Sequence, residues 1–162
     1  MTSLAPAADA APAIGPGRPA PDFTLPDTHG TPVHLADLRG QTTLVVFYPF
    51  AFSGICTSEL CELRDNIEDF ETVGVRLLAV STDPVFTLKA WQQAEGFGFD
   101  LLSDFWPHGA VARSFGVFDD ESGHALRGSF LIDADGIVRW RVLSPRGQSR
   151  DLEGYRQALA EI

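Results

Sequence analysis

Leu44-Val45-Val46-Phe47-Tyr48 is an unbroken apolar run that Pro49 brings to a stop. Short runs rich in β-branched and aromatic residues form strands buried on both faces. A proline ends such a run because it has no N–H to offer a ladder. After a loop from Phe50 to Gly54, apolar residues recur at Leu60, Leu63, Ile67 and Phe70. Spacings of three and four predict a helix from about Ile55 to Glu71, stopped near Gly74. A buried strand at 43–48 followed by an amphipathic helix demands a layered α/β arrangement, because each must cover the other's apolar face.

The rest of the chain repeats the pattern. Arg76 to Ser81 reads as a second buried strand. Asp83-Pro84 predicts a helix start, with Asp83 as cap and Pro84 at the first helical position, and the helix runs to about Glu95 before Gly96. Asp100 to Ser103 is a short strand, His108 to Phe115 a short helix stopped by Gly116, and Asp119 to Gly123 an acidic turn. Ser129 to Asp133 and Ile137 to Val142 form a hairpin around Asp135-Gly136, and a helix over Asp151 to Ile162 closes the chain. At the other end Pro19 to Pro26 is extended with Phe23 and Leu25 inward, and Asp27 to Gly30 turns into a strand at Thr31 to Leu35. One helical turn fits between Ala36 and Gly40. The sum is a central mixed sheet with helices on both faces and an N-terminal β-hairpin.

With 162 residues, one domain is the simplest organisation. Residues 1–17 are Ala/Pro/Gly-rich, without the basic start and apolar stretch of a signal peptide, and are expected to be a mobile tail before a domain at 18–162. The net charge of −10, from 12 basic and 22 acidic residues, argues against nucleic acid and anionic membranes as partners. No run reaches the apolar length of a membrane span. Two cysteines without a secretory signal point to a reducing, cytoplasmic compartment, where paired thiols are more often catalytic than structural.

Those cysteines are Cys56 and Cys61. Cys56 falls in the first turn of the predicted helix, where unpaired N–H groups and the positive end of the dipole favour a thiolate. A cysteine is usually a small buried hydrophobe. Here a strand end, a proline loop, the Ser53 hydroxyl and a helix N-terminus converge on it, and a nucleophile is the better reading. Extra thiolate alone is too small a gain for an efficient enzyme, so charge-stabilising groups must supply the remainder.

Pro49-Phe50-Ala51-Phe52-Ser53-Gly54-Ile55-Cys56 resembles the peroxiredoxin active-site pattern, Pro-x-x-x-Thr/Ser-x-x-Cys. Leu101 to Phe118 and Arg127-Gly128-Ser129-Phe130-Leu131-Ile132-Asp133 continue the resemblance in order, which spans roughly Ile14 to the C-terminus. It is strongest toward the alkyl hydroperoxide reductase E subgroup. The resemblance implies a thioredoxin-like fold and a peroxidase that works without metal, flavin or haem. Its substrates would be hydrogen peroxide, organic hydroperoxides or peroxynitrite. Cys56 then matches the peroxidatic cysteine, which becomes a sulfenic acid. Ser53 matches the hydroxyl that hydrogen-bonds the peroxide, Pro49 the residue that shields the site, and Arg127 the guanidinium beside the thiolate. Glu59, one turn after Cys56, makes sense mainly as an orienter of Arg127, since alone it would oppose a thiolate. Arg150 is a looser candidate for a second arginine.

Cys61 is placed as the resolving cysteine of bacterioferritin-comigratory peroxiredoxins, whereas the subgroup most resembled is described with the peroxidatic cysteine alone. Positions five apart on an intact helix have Cα atoms about 8–9 Å apart, and a disulfide needs less than about 7 Å. Bonding would require the first turns to unwind; otherwise Cys61 is a bystander. The resemblance implies mycothiol or a glutaredoxin-like protein as reductant in one case and thioredoxin in the other. It also implies a homodimer, with Phe50, Phe52 and Trp106 as contact candidates.

Two rivals remain at this point. A thiol–disulfide oxidoreductase suits the fold class, but the four-residue spacer keeps the sulfurs out of bonding range. A non-enzymatic thiol or copper-binding module has two cysteines, yet His29, His34, His108 and His124 are scattered and form no ligand spacing.

Overall fold

The computed structural model describes residues 12–145 and 147–162. Strands β1 (Thr24–Pro26) and β2 (Pro32–His34) form the N-terminal antiparallel hairpin. Asp27 shapes its turn, its carboxylate accepting from the His29 and Thr31 N–H groups. A 3-10 turn over Leu35–Leu38 leads to β3 (Thr43–Phe47), all of whose residues are buried. Next come α1 (Gly54–Asp65), α2 (Ile67–Glu71), β4 (Arg76–Ser81), α3 (Val85–Glu95) and β5 (Asp100–Ser103). A short α4 (Ala110–Ser114) precedes a two-residue ladder, β6 (Phe118–Asp119) with β7 (His124–Ala125). β8 (Arg127–Ile132), β9 (Val138–Ser144) and α5 (Leu152–Ala160) complete the chain.

The main sheet has the order β5-β4-β3-β8-β9. β3 is parallel to β4, and β4 to β5, while β8 runs antiparallel to both β3 and β9. β3 lies at the centre, which is why it is the most continuously apolar strand. Successive side chains point to opposite faces. Leu44, Val46 and Tyr48 accordingly join a core with Leu60 and Leu63 of α1, Phe70 of α2, Leu88 and Trp91 of α3, and Tyr155 of α5. Val45 and Phe47 join the opposite core with Phe23, Leu25, Leu35, Phe115 and Phe130. The central mixed sheet of the thioredoxin-like fold stands, but its two layers are unequal: the second face is covered by α4 and the N-terminal segments.

Three local departures have physical causes. The helix expected over 55–71 breaks at Asn66 (φ −118, ψ 20), whose side chain donates to the Glu62 carbonyl while α2 restarts behind it. Such back-bonding competes with the helix ladder. Asp83 does not cap α3: Pro84 is the cap and the helix begins at Val85. The Asp83 carboxylate instead accepts from the Ala51 N–H at 2.8 Å and the Ser81 hydroxyl at 2.7 Å. Residues 12–17 are attached to the body, through Ile14 N–H to the Phe115 carbonyl at 3.1 Å and Gly17 N–H to the Val138 carbonyl at 2.8 Å. Gly116 makes room for them: its φ is +75, and a Cβ there would lie 2.6 Å from Ala13 Cα. Residues 1–11 of the expected tail lie outside the described residues.

Candidate active site

β3 and β4 are parallel, so the loops after them lie side by side at one end of the sheet, and antiparallel β8 begins at that same end. This is where ligand sites form in open α/β sheets. The last sheet bond of the β3 run is Tyr48 N–H to the Val80 carbonyl, 3.1 Å. Half-buried Pro49 then starts the loop, and Asp83 pins Ala51 within it. Phe52 holds φ +67, the one positive value at a non-glycine among the described residues. That conformation is costly for a bulky side chain. It delivers the chain into Ser53, whose extended backbone (φ −69, ψ 148) and hydroxyl cap α1 by accepting from the Cys56 N–H at 3.3 Å.

Cys56 has no exposed surface. Its Sγ lies 3.3 Å from Arg127 Nη2 at the start of β8. Arg127 Nε donates to Glu59 Oε1 at 3.0 Å. Glu59, one turn along α1 from Cys56, also faces Arg150. Its Oε2 accepts from the Arg150 backbone N–H at 2.6 Å and from Arg150 Nε at 2.9 Å. Arg150 Nη1 reaches the Phe47 carbonyl, the Gly128 carbonyl and the Ser129 hydroxyl at 2.6, 3.1 and 3.0 Å. Ser129 Oγ in turn meets Tyr155 Oη at 2.7 Å. Burial by itself would lower the Arg150 basicity, but the electrostatic interactions with Tyr155 and with the Glu59 carboxylate outweigh it, so the guanidinium is held above its ordinary value. Burial likewise pushes the phenols of Tyr48 and Tyr155 up, and both stay neutral near pH 7.

The structure thus gathers Cys56, Ser53, Glu59, Arg127 and Arg150 into one cluster. Cys61 is turned elsewhere on an unbroken α1: its half-buried thiol lies 3.4 Å from Glu95 Oε2 of α3, and no disulfide joins it to Cys56. Phe50, Phe52 and Trp106 are all exposed, Trp106 by 80%. Phe50 packs edge-on against the His124 ring, 4.9 Å between centroids.

Residues 16–141 match the AhpC/TSA family. The chain belongs to that family, the peroxiredoxins. It is 46% identical to alkyl hydroperoxide reductase E of Mycobacterium tuberculosis, over 90% of this chain and 96% of that protein. It is 43% identical to peroxiredoxin Bcp of Escherichia coli, over 75% and 81%. Among solved structures, peroxidoxin BcpB of Mycobacterium tuberculosis superposes with a TM-score of 0.79 at 35% identity, covering 90% of this chain and 94% of that one. Enterococcus faecalis AhpC does so with a TM-score of 0.83 at 28% identity, covering 90% of each. As a peroxiredoxin the chain is an enzyme, a thiol-dependent peroxidase that takes a peroxide and a thiol reductant and works through a cysteine sulfenic acid.

Sequence reading missed several residues around this peroxiredoxin's site. The local sequence marks Asp83 as a cap, whereas its position just past β4, parallel to β3, is the signal for its role at the loop. Ser129 lies within the Arg127 to Asp133 block, but its partner Tyr155 is 26 residues away, and neither Tyr155 nor Glu95 beside Cys61 carries a local motif. Among the described residues no group of three or more His, Cys, Asp and Glu side chains is placed to hold a metal ion, and no helix is long and apolar enough to cross a membrane.

Proposed function

We propose that Cys56 is the peroxidatic nucleophile and that Arg127, held by Glu59 and Arg150, stabilises it and the breaking O–O bond. The Cys56 Sγ to Arg127 Nη2 contact of 3.3 Å carries this reading. Two buried guanidinium groups face one carboxylate, leaving one positive charge that a Cys56 thiolate completes. Buried charge without a partner is expensive, so the cluster favours the charged sulfur. The thiolate attacks one peroxide oxygen, an S–O bond forms as the O–O bond breaks, and the other oxygen leaves as alkoxide or hydroxide and takes up a proton. Cys56 is left as a sulfenic acid. Donors already aimed at the reacting oxygens lower the barrier because they need no reorganisation.

Ser53 uses its lone pair on the Cys56 N–H, which leaves its hydroxyl hydrogen for the peroxide. Pro49 shields the sulfur from water. Because Cys56 has no exposed surface, a peroxide reaches the sulfur only when the groups packed around it move aside. Organic hydroperoxides are the favoured substrates, by similarity to the mycobacterial alkyl hydroperoxide reductase E.

Cys61 serves as the resolving thiol and a thioredoxin-like dithiol protein as final reductant; mycothiol or a glutaredoxin-like protein takes over if Cys61 is idle. The enzyme acts in the cytoplasm as a homodimer through the exposed Phe50, Phe52 and Trp106. Stopped-flow peroxide consumption by wild type and Cys56→Ser tests the nucleophile. Rates in wild type no faster than those of free cysteine would sink it.

A further inference from the structure

Glu95 is the last residue of α3, immediately before Gly96, which caps the helix with φ +66. A carboxylate at a helix C-terminus faces the negative end of the dipole, so the position disfavours it. Its compensation comes from α1. Arg64 donates to the Glu95 backbone carbonyl, and Arg64 Nη1 lies 3.9 Å from Glu95 Oε2. Cys61, three residues before Arg64, donates its thiol hydrogen to the same Oε2 at 3.4 Å. Two side chains of α1 therefore clip the end of α3.

The groups that face the Cys61 thiol are Glu95 from α3 and Arg64 and Asp65 from α1. Burial pushes the thiol up first, the bond to Glu95 second, and Arg64 opposes them without prevailing. Meanwhile α1 is continuous from Gly54 to Asp65, so the Cα atoms of Cys56 and Cys61 stand about 8–9 Å apart, beyond the reach of a disulfide. Disulfide formation demands both that these turns open and that Cys61 leave Glu95.

We propose that Glu95 is a positioning residue whose carboxylate latches Cys61 to the end of α3 and keeps α1 wound, and so governs how fast the intramolecular disulfide forms. The inference rests on Cys61 being the resolving cysteine. In the step it controls, the Cys61 thiolate attacks the sulfur of the Cys56 sulfenic acid. The S–S bond forms as the S–O bond breaks, and the departing hydroxide combines with the proton the thiol gave up, releasing water. The peroxide already consumed is the oxidant, and no other is needed. A held latch prolongs the sulfenic acid and leaves it open to an external thiol.

The test is a single turnover of wild type, Glu95→Gln and Cys61→Ser with one equivalent of hydrogen peroxide. Samples are quenched by alkylation, and the disulfide is followed by mass spectrometry across a series of pH values. Glu95→Gln keeps the side-chain shape and removes the charge. Each tenfold gain in thiolate raises the rate only about threefold, because nucleophilicity falls with basicity. A rise of about threefold at neutral pH is expected, with the midpoint of the pH dependence displaced downward. An unchanged or slower rate, or an equal acceleration at every pH, overturns the latch while leaving Cys61 as the resolving thiol. A wild type that forms no disulfide, or a Cys61→Ser variant that still does, removes the resolving role and the latch with it.

Discussion

Glu59 Oε1 lies 3.0 Å from Arg127 Nε, and both side chains are buried, with 4% and 8% of their surfaces exposed. The carboxylate is one turn from Cys56 yet does not face it alone: its charge is absorbed by Arg127 and Arg150. What the sulfur meets is the far end of an arginine whose near end is fixed. A guanidinium fork can do this because it is planar and donates in two directions at once.

Removing the fork separates ground-state from transition-state support. Arg127→Ala is expected to slow the reaction of Cys56 with peroxide by about a hundredfold or more, within the range for loss of one charge-stabilising donor. Stopped-flow rates across pH, set beside a direct titration of the Cys56 thiol in each protein, check this. A slowdown accounted for entirely by altered thiol ionisation would confine Arg127 to holding the thiolate.

Removing the carboxylate strands two cations. Glu59→Gln leaves the buried Arg127 and Arg150 without their shared carboxylate and with Cys56, among the described residues, as the one remaining acidic partner of Arg127. Breaking such a group by deleting one partner typically destabilises by about 3–5 kcal/mol. Urea unfolding of wild type and variant measures it. A loss below about 1 kcal/mol would mean that the arginines find water or another acceptor.

Asp83 acts at a distance from the sulfur. Asp83→Ala leaves the Ala51 N–H and the Ser81 hydroxyl without their acceptor, a loss of about 1–3 kcal/mol in stability. It also slackens the loop that carries Phe52 and Ser53. Small misplacements of positioning groups lower rates by up to about a hundredfold, so peroxide consumption should fall by about ten- to a hundredfold with the Cys56 thiol still titratable. Unaltered kinetics would show that the cap at Ser53 holds the loop unaided.

The turn between β8 and β9 sets an acid limit. Burial alone would raise the Asp133 carboxyl, but the N–H groups of Ile137 and Asp135 and the Arg139 guanidinium outweigh it and hold it below the ordinary value. A depressed carboxyl stabilises the fold above its unfolded value, and the contribution is lost as pH falls through the folded one. Asp133→Asn should therefore lower Tm at neutral pH, and the gap to wild type should close as the medium is acidified below about pH 4. A gap of constant size would remove the charge from the explanation.

How much of this was legible depended on the range of the interaction. The β3 run ending at Pro49, the cap at Ser53, the first-turn position of Cys56 and the Asp135-Gly136 hairpin are written within a few neighbouring residues. Asp83-Pro84 misled for the same reason: the local rule for a cap was satisfied on paper, while Ala51 and Ser81 made a stronger claim on the carboxylate once β3 and β4 were paired. Asn66 carried a break that the apolar spacing of Ile67 and Phe70 concealed.

From the sequence alone came the element types, the strand–loop–helix that presents Cys56, and the family resemblance. Those depend on backbone preferences and side-chain periodicity, which act over one or two turns of chain. Folding alone decided that Glu59 would share its charge between arginines 68 and 91 residues away, and that Cys61 would face Glu95 rather than Cys56. Such pairings follow from the order β5-β4-β3-β8-β9, since the sheet determines which distant side chains are buried together, and burial compels charges to find partners.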